Sequence, residues 1–178
     1  MFQIIQEIDT SILLFIQEEI RTGILSGIML FFTFISHAGA IWLIPAVCLM
    51  ITKKYRSLGF TLLFCVAVSW TINDLVIKNL VMRLRPITRI PELEVLIAVP
   101  SSFSFPSGHS CTSFAAAYAL TKGMKKYGGF AYIPAVLIAL SRVYVGVHYP
   151  SDIVFGAIIG TLLAMAAYWV RVKYIRKI

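Results

Sequence analysis

Charged side chains are scarce in this chain: they make up 13% of its 178 residues, and Asp and Glu together number 8. A soluble domain carries about 25% charged residues, so a water-soluble fold is excluded. Cysteine is equally sparse. Cys48, Cys65 and Cys111 sit in apolar stretches without Cys-x-x-Cys spacing, which excludes a disulfide framework and a thiolate metal site and leaves them as packing residues. No cluster of residues has metal-ligand spacing, so neither a metal nor another cofactor is expected. Internal repeats and low-complexity segments are missing as well. The N-terminus lacks the cationic start and small-residue cleavage site of a secretory signal, so Met1 is expected to stay attached.

What the chain has instead is apolar surface. Hydrophobic residues make up 59%, and the mean hydropathy of +0.85 excludes disorder. Apolar runs cover residues 22–36, 40–52, 57–77, 109–121, 129–147 and 151–170. They are too long to hide in one soluble core, and the bilayer is the expected solvent. The expected fold class is all-α: an integral membrane bundle of six spanning helices preceded by an N-terminal amphipathic helix. The first two runs are short against the about 20 residues a span needs, and only Ser36-His37-Ala38-Gly39 separates them, so five spans are the alternative.

Residues 1–21 form the N-terminal segment and 22–178 the membrane domain. Ile4, Ile5, Ile8, Ile12, Phe15, Ile16 and Ile20 recur at helical spacing, opposite Gln3, Gln6, Glu7, Asp9, Gln17 and Glu18. This pattern suits a helix lying on the membrane surface. Its acidic polar face suits packing against the rest of the protein equally well.

The net charge of +8 raises nucleic-acid binding, but the positions argue against that partner. Ten of the 16 Lys and Arg residues fall in three clusters: Lys53, Lys54, Arg56; Lys122, Lys125, Lys126; and Arg171, Lys173, Arg176, Lys177. Two spans separate each cluster from the next, so all three share one side, which the positive-inside rule makes cytoplasmic. Segments 79–108 and 148–151 then lie outside. Arg83, Arg85 and Arg89 break this asymmetry, since they crowd the start of an external connection. Within that connection the apolar stretch Val95 to Val99 could rest on the membrane.

Three groups of reactive residues fall at this outer level: Lys78 with Arg85-Pro86; Pro106-Ser107-Gly108-His109; and Ser141-Arg142 followed by His148 and Asp152. Lys78, Arg85 and Arg142 are permanent cations where unpaired charge is expensive, so a polyanionic partner is expected. Arginine's planar fork matches phosphate oxygens. Pro-Ser-Gly before an apolar run marks a helix N-terminus whose free N–H groups favour an anion, and Gly108 would let an oxyanion approach the backbone. His148 and Asp152 are four apart across Pro150, which suits the first position of a helix. The carboxylate can therefore hold one imidazole nitrogen and leave the other as a nucleophile, with His109 free to act as the acid.

The pattern Lys-x6-Arg-Pro, Pro-Ser-Gly-His and Ser-Arg-x5-His-x3-Asp resembles the three-part signature of the type 2 phosphatidic acid phosphatases, relatives of the vanadium haloperoxidases. All eleven specified positions are present: Lys78, Arg85, Pro86, Pro106, Ser107, Gly108, His109, Ser141, Arg142, His148 and Asp152. The resemblance implies metal-free phosphoryl transfer through a phosphohistidine. His148 would attack, with Asp152 supporting it; Lys78, Arg85, Arg142, Ser107 and the Gly108 backbone would hold the phosphoryl oxygens. His109 would protonate the leaving oxygen and then activate water. A bell-shaped pH dependence is expected.

The expected substrate is a lipid phosphate monoester or diphosphate, with undecaprenyl diphosphate or phosphatidylglycerol phosphate leading for a bacterial plasma membrane, and the site facing the non-cytoplasmic side. Alternatives are a phosphatase for a soluble ester, a non-enzymatic lipid transporter or scramblase of the same fold, and a haloperoxidase-like use of the anion site. Asp74, one turn before Lys78, is expected to neutralise it, or else to orient it toward phosphate. His37 reads as an interfacial histidine, Arg83 and Arg89 as rim residues, and Trp42, Trp70 and Trp169 as membrane-interface residues.

Overall fold

The computed structural model describes residues 2–175, and every regular element among them is helical. Met1, Arg176 and Lys177, named above, lie outside the described residues. Helix α1 (Phe2–Phe15) runs on through a wide π-type turn to Ile20, followed by α2 (Gly23–Ile35) and α3 (Ala40–Ile51). Helix α4 (Arg56–Trp70) continues through a second π-type segment, Thr71–Ile77, into α5 (Lys78–Val81). The short α6 (Pro86–Arg89) precedes a long connection to α7 (Gly108–Gly123), and α8 (Tyr132–Tyr144) and α9 (Pro150–Val170) complete the bundle. Thr22 caps α2, its hydroxyl accepting from Leu25 N, and Pro150 occupies the first position of α9 as its fixed φ predicts. Gly39, at φ 74°, provides the left-handed corner between α2 and α3.

Helix α7 is the hub. Its Ala115, Ala116, Ala117 and Ala119 are fully buried, and α9 presents Gly156, Gly160, Ala164 and Ala167 to the interior. A Cβ on Gly156 would stand 2.7 Å from the Ser107 carbonyl oxygen, and one on Gly160 would strike the Cys111 backbone. The two backbones thus approach as closely as small residues permit, the usual means of joining helices in lipid, where burying apolar side chains gives little advantage. Gly59 of α4 does the same against Ala46 and Met50 of α3. The large apolar side chains point outward, with Ile24, Phe34 and Leu80 more than three-quarters exposed, as a lipid-facing surface requires.

Two helical stretches, Arg56–Arg89 and Pro150–Tyr174, are long and apolar enough to cross a membrane; α2 and α3, bent 50° to each other, can make a third crossing as one broken span. The path of that pair is fixed by its ends. Arg21 donates to the Tyr144 carbonyl at 2.9 Å, and the Tyr144 hydroxyl meets Thr22 N at 3.3 Å and Ser26 Oγ at 2.9 Å. Helix α3 finishes against the start of α4, the end where Arg171 donates to Ser57 O. Residues 23–51 therefore run from one end of the bundle to the other once.

Several expectations need correction. Trp42 is not an interface residue: it is buried, and its indole donates to Ser113 Oγ at 2.9 Å. Trp70 and Trp169 are about half exposed. The Val95–Val99 stretch does not merely rest on lipid, since Leu96 N donates to Val145 O at 3.1 Å and Val95, Leu96 and Ile97 pack on Tyr144, Val145 and Val147. The two readings of α1 hold on opposite faces: Asp9 and Leu13 are buried and Gln17 bonds the Glu92 carbonyl and the Glu94 amide, while Ile4, Ile8 and Phe15 stay more than half exposed.

Candidate active site

The π-type segment before Lys78 carries the polar part of an otherwise apolar helix. Such wide turns add a residue to the helical repeat and re-aim the side chains that follow. Lys78, buried, is held by the Asp74 carboxylate. Asn73 donates to Asp74 Oδ2 at 3.1 Å and to the Pro106 carbonyl at 3.4 Å, which ties α4 to the Pro-Ser-Gly-His segment. Asp74 also lies against Gly108: a Cβ there would stand 2.6 Å from Asp74 Oδ2. The glycine thus admits Asp74 to the N-terminus of α7, where a carboxylate is favoured by the helix dipole, a role not foreseen for it. Ser107 Oγ caps α7 by accepting from Ser110 N, and Ser107 N donates to the Asp152 carbonyl at 3.1 Å.

Arg85 joins the two external connections. Its Nε donates to Ser102 O at 2.8 Å, Nη1 to Val147 O at 2.8 Å, and Nη2 to Ser102 Oγ at 3.2 Å. Nη1 also faces His148 Nε2 at 3.4 Å. On its other edge His148 Nδ1 lies 3.4 Å from Asp152 Oδ2, the nitrogen-to-carboxylate arrangement expected from their spacing. Asp152 Oδ2 also accepts from Tyr149 N at 3.0 Å and from Ser104 Oγ, and Ser104 Oγ sits 3.4 Å from His148 Nδ1. Burial pushes the His148 imidazole down to about 4, with Asp152 pulling it back and Arg85 and Arg142 adding to the depression. His148 is therefore a neutral imidazole at neutral pH. With Nδ1–H directed at Asp152, the Nε2 lone pair faces the cations.

Arg142 ends α8, and its carbonyl accepts from His148 N at 3.3 Å. Its own Nε is buried without a hydrogen-bond partner. His109, in the first turn of α7, lies within electrostatic reach of Arg142, His148, Lys78 and His37. Lys78, Arg85, Arg142, His109, His148 and Asp152 all come together, with Ser107 and Gly108 at the helix N-terminus beside them.

Three participants escaped the sequence. Arg83 is not a rim residue: it donates to Asp152 Oδ1 at 2.6 Å and to Asp9 Oδ2 at 2.7 Å. Asp9 comes from α1, far away in sequence. Ser104, fully buried, gave no signal in a serine-rich loop. The one available clue to Arg83 was its place in the cationic crowd on the wrong side of the charge asymmetry.

The matched family model is the PAP2 superfamily, over residues 54–176. Among curated proteins, the chain is 32% identical over 143 residues to an undecaprenyl-diphosphatase of Sulfolobus acidocaldarius, covering 79% of this chain and 68% of the relative. It is 37% identical over 147 residues to a decaprenylphosphoryl-5-phosphoribose phosphatase of Mycolicibacterium smegmatis, covering 76% and 73%. Among solved structures, a transmembrane PAP2-type phosphatidylglycerolphosphate phosphatase from Bacillus subtilis superposes with a TM-score of 0.73 at 27% identity, over 95% of this chain and 87% of that one.

Proposed function

The chain belongs to the PAP2 superfamily, and from that premise we propose how this membrane lipid phosphatase hydrolyses its substrate. Four buried or half-buried cations (Lys78, Arg83, Arg85, Arg142) face three carboxylates (Asp9, Asp74, Asp152), and neither Arg85 nor Arg142 has a carboxylate partner among the described residues. That uncompensated buried charge is the observation that carries the reading. Burying an unpaired ion costs several kcal/mol, and a phosphate between the two guanidiniums removes that cost.

His148 Nε2 attacks phosphorus in line, and the bond from phosphorus to the lipid oxygen breaks as His109 gives that oxygen its proton. Lys78, Arg85, Arg142, Ser107 and the Gly108 N–H hold the equatorial oxygens, where charge must be stabilised. Neutral His109 then takes a proton from water as the water oxygen bonds to phosphorus. The electron pair of the N–P bond returns to His148, and inorganic phosphate leaves. Asp152 keeps His148 in the attacking tautomer and balances the positive charge it carries as a phosphohistidine.

The substrate is a lipid monophosphate or diphosphate. Similarity to phosphatases named for undecaprenyl and decaprenyl lipids favours undecaprenyl diphosphate, with phosphatidylglycerol phosphate second. This integral membrane protein crosses the plasma membrane of its cell five times, rather than six, with the α2–α3 pair as a single bent span. Two observations support that count: Arg21 and Thr22 bond Tyr144 at the site's end of the bundle, and α3 ends beside the basic residues 53–56. The positive-inside rule then places the active site on the non-cytoplasmic side, together with α1. Residues 1–21 are the external helical segment and 22–178 the membrane domain, the boundary falling at the Thr22 cap.

The test is phosphate release from a panel of lipid phosphates by purified protein beside His148→Ala and His109→Ala. Loss of turnover in His148→Ala, with a radiolabelled phosphoenzyme seen only when His148 is present, is expected. Unchanged turnover in His148→Ala would remove the nucleophile.

A further inference from the structure

Arg83 stands at the centre of a contact set that the phosphoryl-transfer chemistry does not itself require. Its Nη1 donates to Ser151 Oγ at 2.8 Å and to Asp152 Oδ1 at 2.6 Å, while Nη2 donates to Gln6 Oε1 at 2.9 Å and to Asp9 Oδ2 at 2.7 Å. The guanidinium plane lies 3.9 Å over the Tyr149 ring, which adds a cation–π contact on the residue between His148 and Pro150. The Arg83 carbonyl accepts from Ser104 N at 2.8 Å, and Ser104 Oγ donates to the other oxygen of Asp152. Arg83 therefore fixes both carboxylate oxygens, one through its side chain and one through its backbone.

Asp9 completes the arrangement from α1. Its Oδ1 accepts from Ser151 N at 2.9 Å, an otherwise unpaired donor in the first turn of α9, and Oδ2 meets Arg83 and the Ser151 hydroxyl. A single aspartate on a separate helix thus caps α9 and holds the arginine that holds Asp152. Asp9 is 2% exposed and Asp152 0%, so neither contact is exchanged for water. A free-floating surface helix would have no need of such a buried ion.

We propose that Asp9 and Arg83 are positioning residues for the His148–Asp152 pair, so that α1 is a working part of the active site. This inference rests on the phosphatase reading above. A cation serving only to neutralise charge could be a lysine. A planar fork set between carboxylates on two helices has a geometric role that lysine's single ammonium cannot reproduce.

The charged and titratable groups facing the pair are Asp152, Arg83, Arg85, Arg142 and His109, with Asp9 and Tyr149 behind Arg83. Loss of Arg83 frees the Asp152 charge to support a protonated His148, which raises the acid limb of kcat/KM. A fold defect alone would leave that limb in place.

The experiment compares Asp9→Asn, Arg83→Lys, Arg83→Gln and the Asp9→Asn/Arg83→Gln double variant with wild type and His148→Ala, using a detergent-solubilised lipid phosphate and counting competent sites by orthovanadate binding. Expected are a kcat about tenfold lower in Asp9→Asn and about a hundredfold lower in Arg83→Gln, the range found for partners that orient reactive groups. KM stays within about twofold, Arg83→Lys falls between, the double variant is no worse than Arg83→Gln, and the acid limb of Arg83→Gln rises. Wild-type kcat per competent site in Asp9→Asn or Arg83→Gln, an unmoved acid limb, or additive losses in the double variant would overturn the proposal. An inactive His148→Ala beside normal Asp9→Asn and Arg83→Gln would remove this inference alone; an active His148→Ala would remove the phosphatase reading with it.

Discussion

Replacing Gly156 with alanine tests whether the spacing of α7 and α9 sets the spacing of the two histidines. The added Cβ would stand 2.7 Å from Ser107 O and 3.1 Å from Ser110 Cβ, whereas ordinary contact begins at 3.4 Å, so the start of α7 must retreat from α9 by about 0.7 Å. Neither obstacle is the end of a flexible side chain. The retreat falls where Ser107 N bonds the Asp152 carbonyl, the one backbone link between the turn carrying His109 and the helix carrying Asp152. A misplacement of about 1 Å between reacting groups costs on the order of a hundredfold in rate, so kcat should fall between about tenfold and a hundredfold. The forced packing should also destabilise the protein by about 1–3 kcal/mol. Gly27→Ala is the control, since nothing lies within 4 Å of its Cβ position and an alanine there only improves helix propensity. Phosphate release in detergent micelles gives kcat and KM, and thermal inactivation gives stability. A Gly156→Ala enzyme with kcat within about twofold of wild type and an unchanged inactivation midpoint would refute the claim that backbone contact between these helices sets the site.

Two further predictions follow from the same geometry. Because burial holds His148 down to about 4, its attacking neutral form is present above that value and lost as pH falls through it, so the acid limb of kcat/KM should lie near pH 4. An acid limb at the ordinary histidine value of about 6.5 would count against the assignment of His148. For the chain path, Glu19→Cys and Glu92→Cys, each in a Cys48→Ser background, should react with a membrane-impermeant thiol reagent from the same face of sealed vesicles. Labelling from opposite faces would restore a sixth span.

The site was more legible than the path of the chain, and for a physical reason. A lysine, two arginines, two histidines and an aspartate carry a high energetic cost in an apolar chain, so each stands out in the sequence, and their spacing already places Pro150 at a helix start and Asp152 one turn from His148. The helices of α7 and α9 were equally plain, because their apolar runs are long and the residues that open them, Ser107 as cap and Pro150 at the first position, are types that start helices. What stayed hidden depends on long-range pairing. Asp9 and Arg83 are 74 positions apart and Ser104 and Asp152 are 48 apart, and no local pattern joins them. The α2–α3 corner was seen, but hydropathy cannot distinguish a bent single traverse from two short ones; the contacts of Arg21 and Thr22 with Tyr144, far away in sequence, are what favour the single traverse proposed above. The small-residue stripe Gly156, Gly160, Ala164 was readable in principle, since its four-residue repeat lies in the longest helix.

The distribution of partners among the cations explains how one site can be both rigid and receptive. Lys78 and Arg83 are each bound by aspartate, and each of those aspartates also touches a second element: Asp74 meets Gly108 of α7, while Asp9 meets Ser151 of α9. These two pairs therefore lock the helix starts together. Arg85 gives one donor each to the carbonyls of Ser102 and Val147, which fixes its geometry while its charge stays uncancelled and further N–H groups remain for a phosphate. Arg142 keeps both charge and an unpartnered Nε. Position is thus supplied by the paired ions and attraction by the unpaired ones. A phosphate entering this site meets preorganised positive charge whose orientation has already been set by folding, the condition under which electrostatic stabilisation of a transition state is most effective.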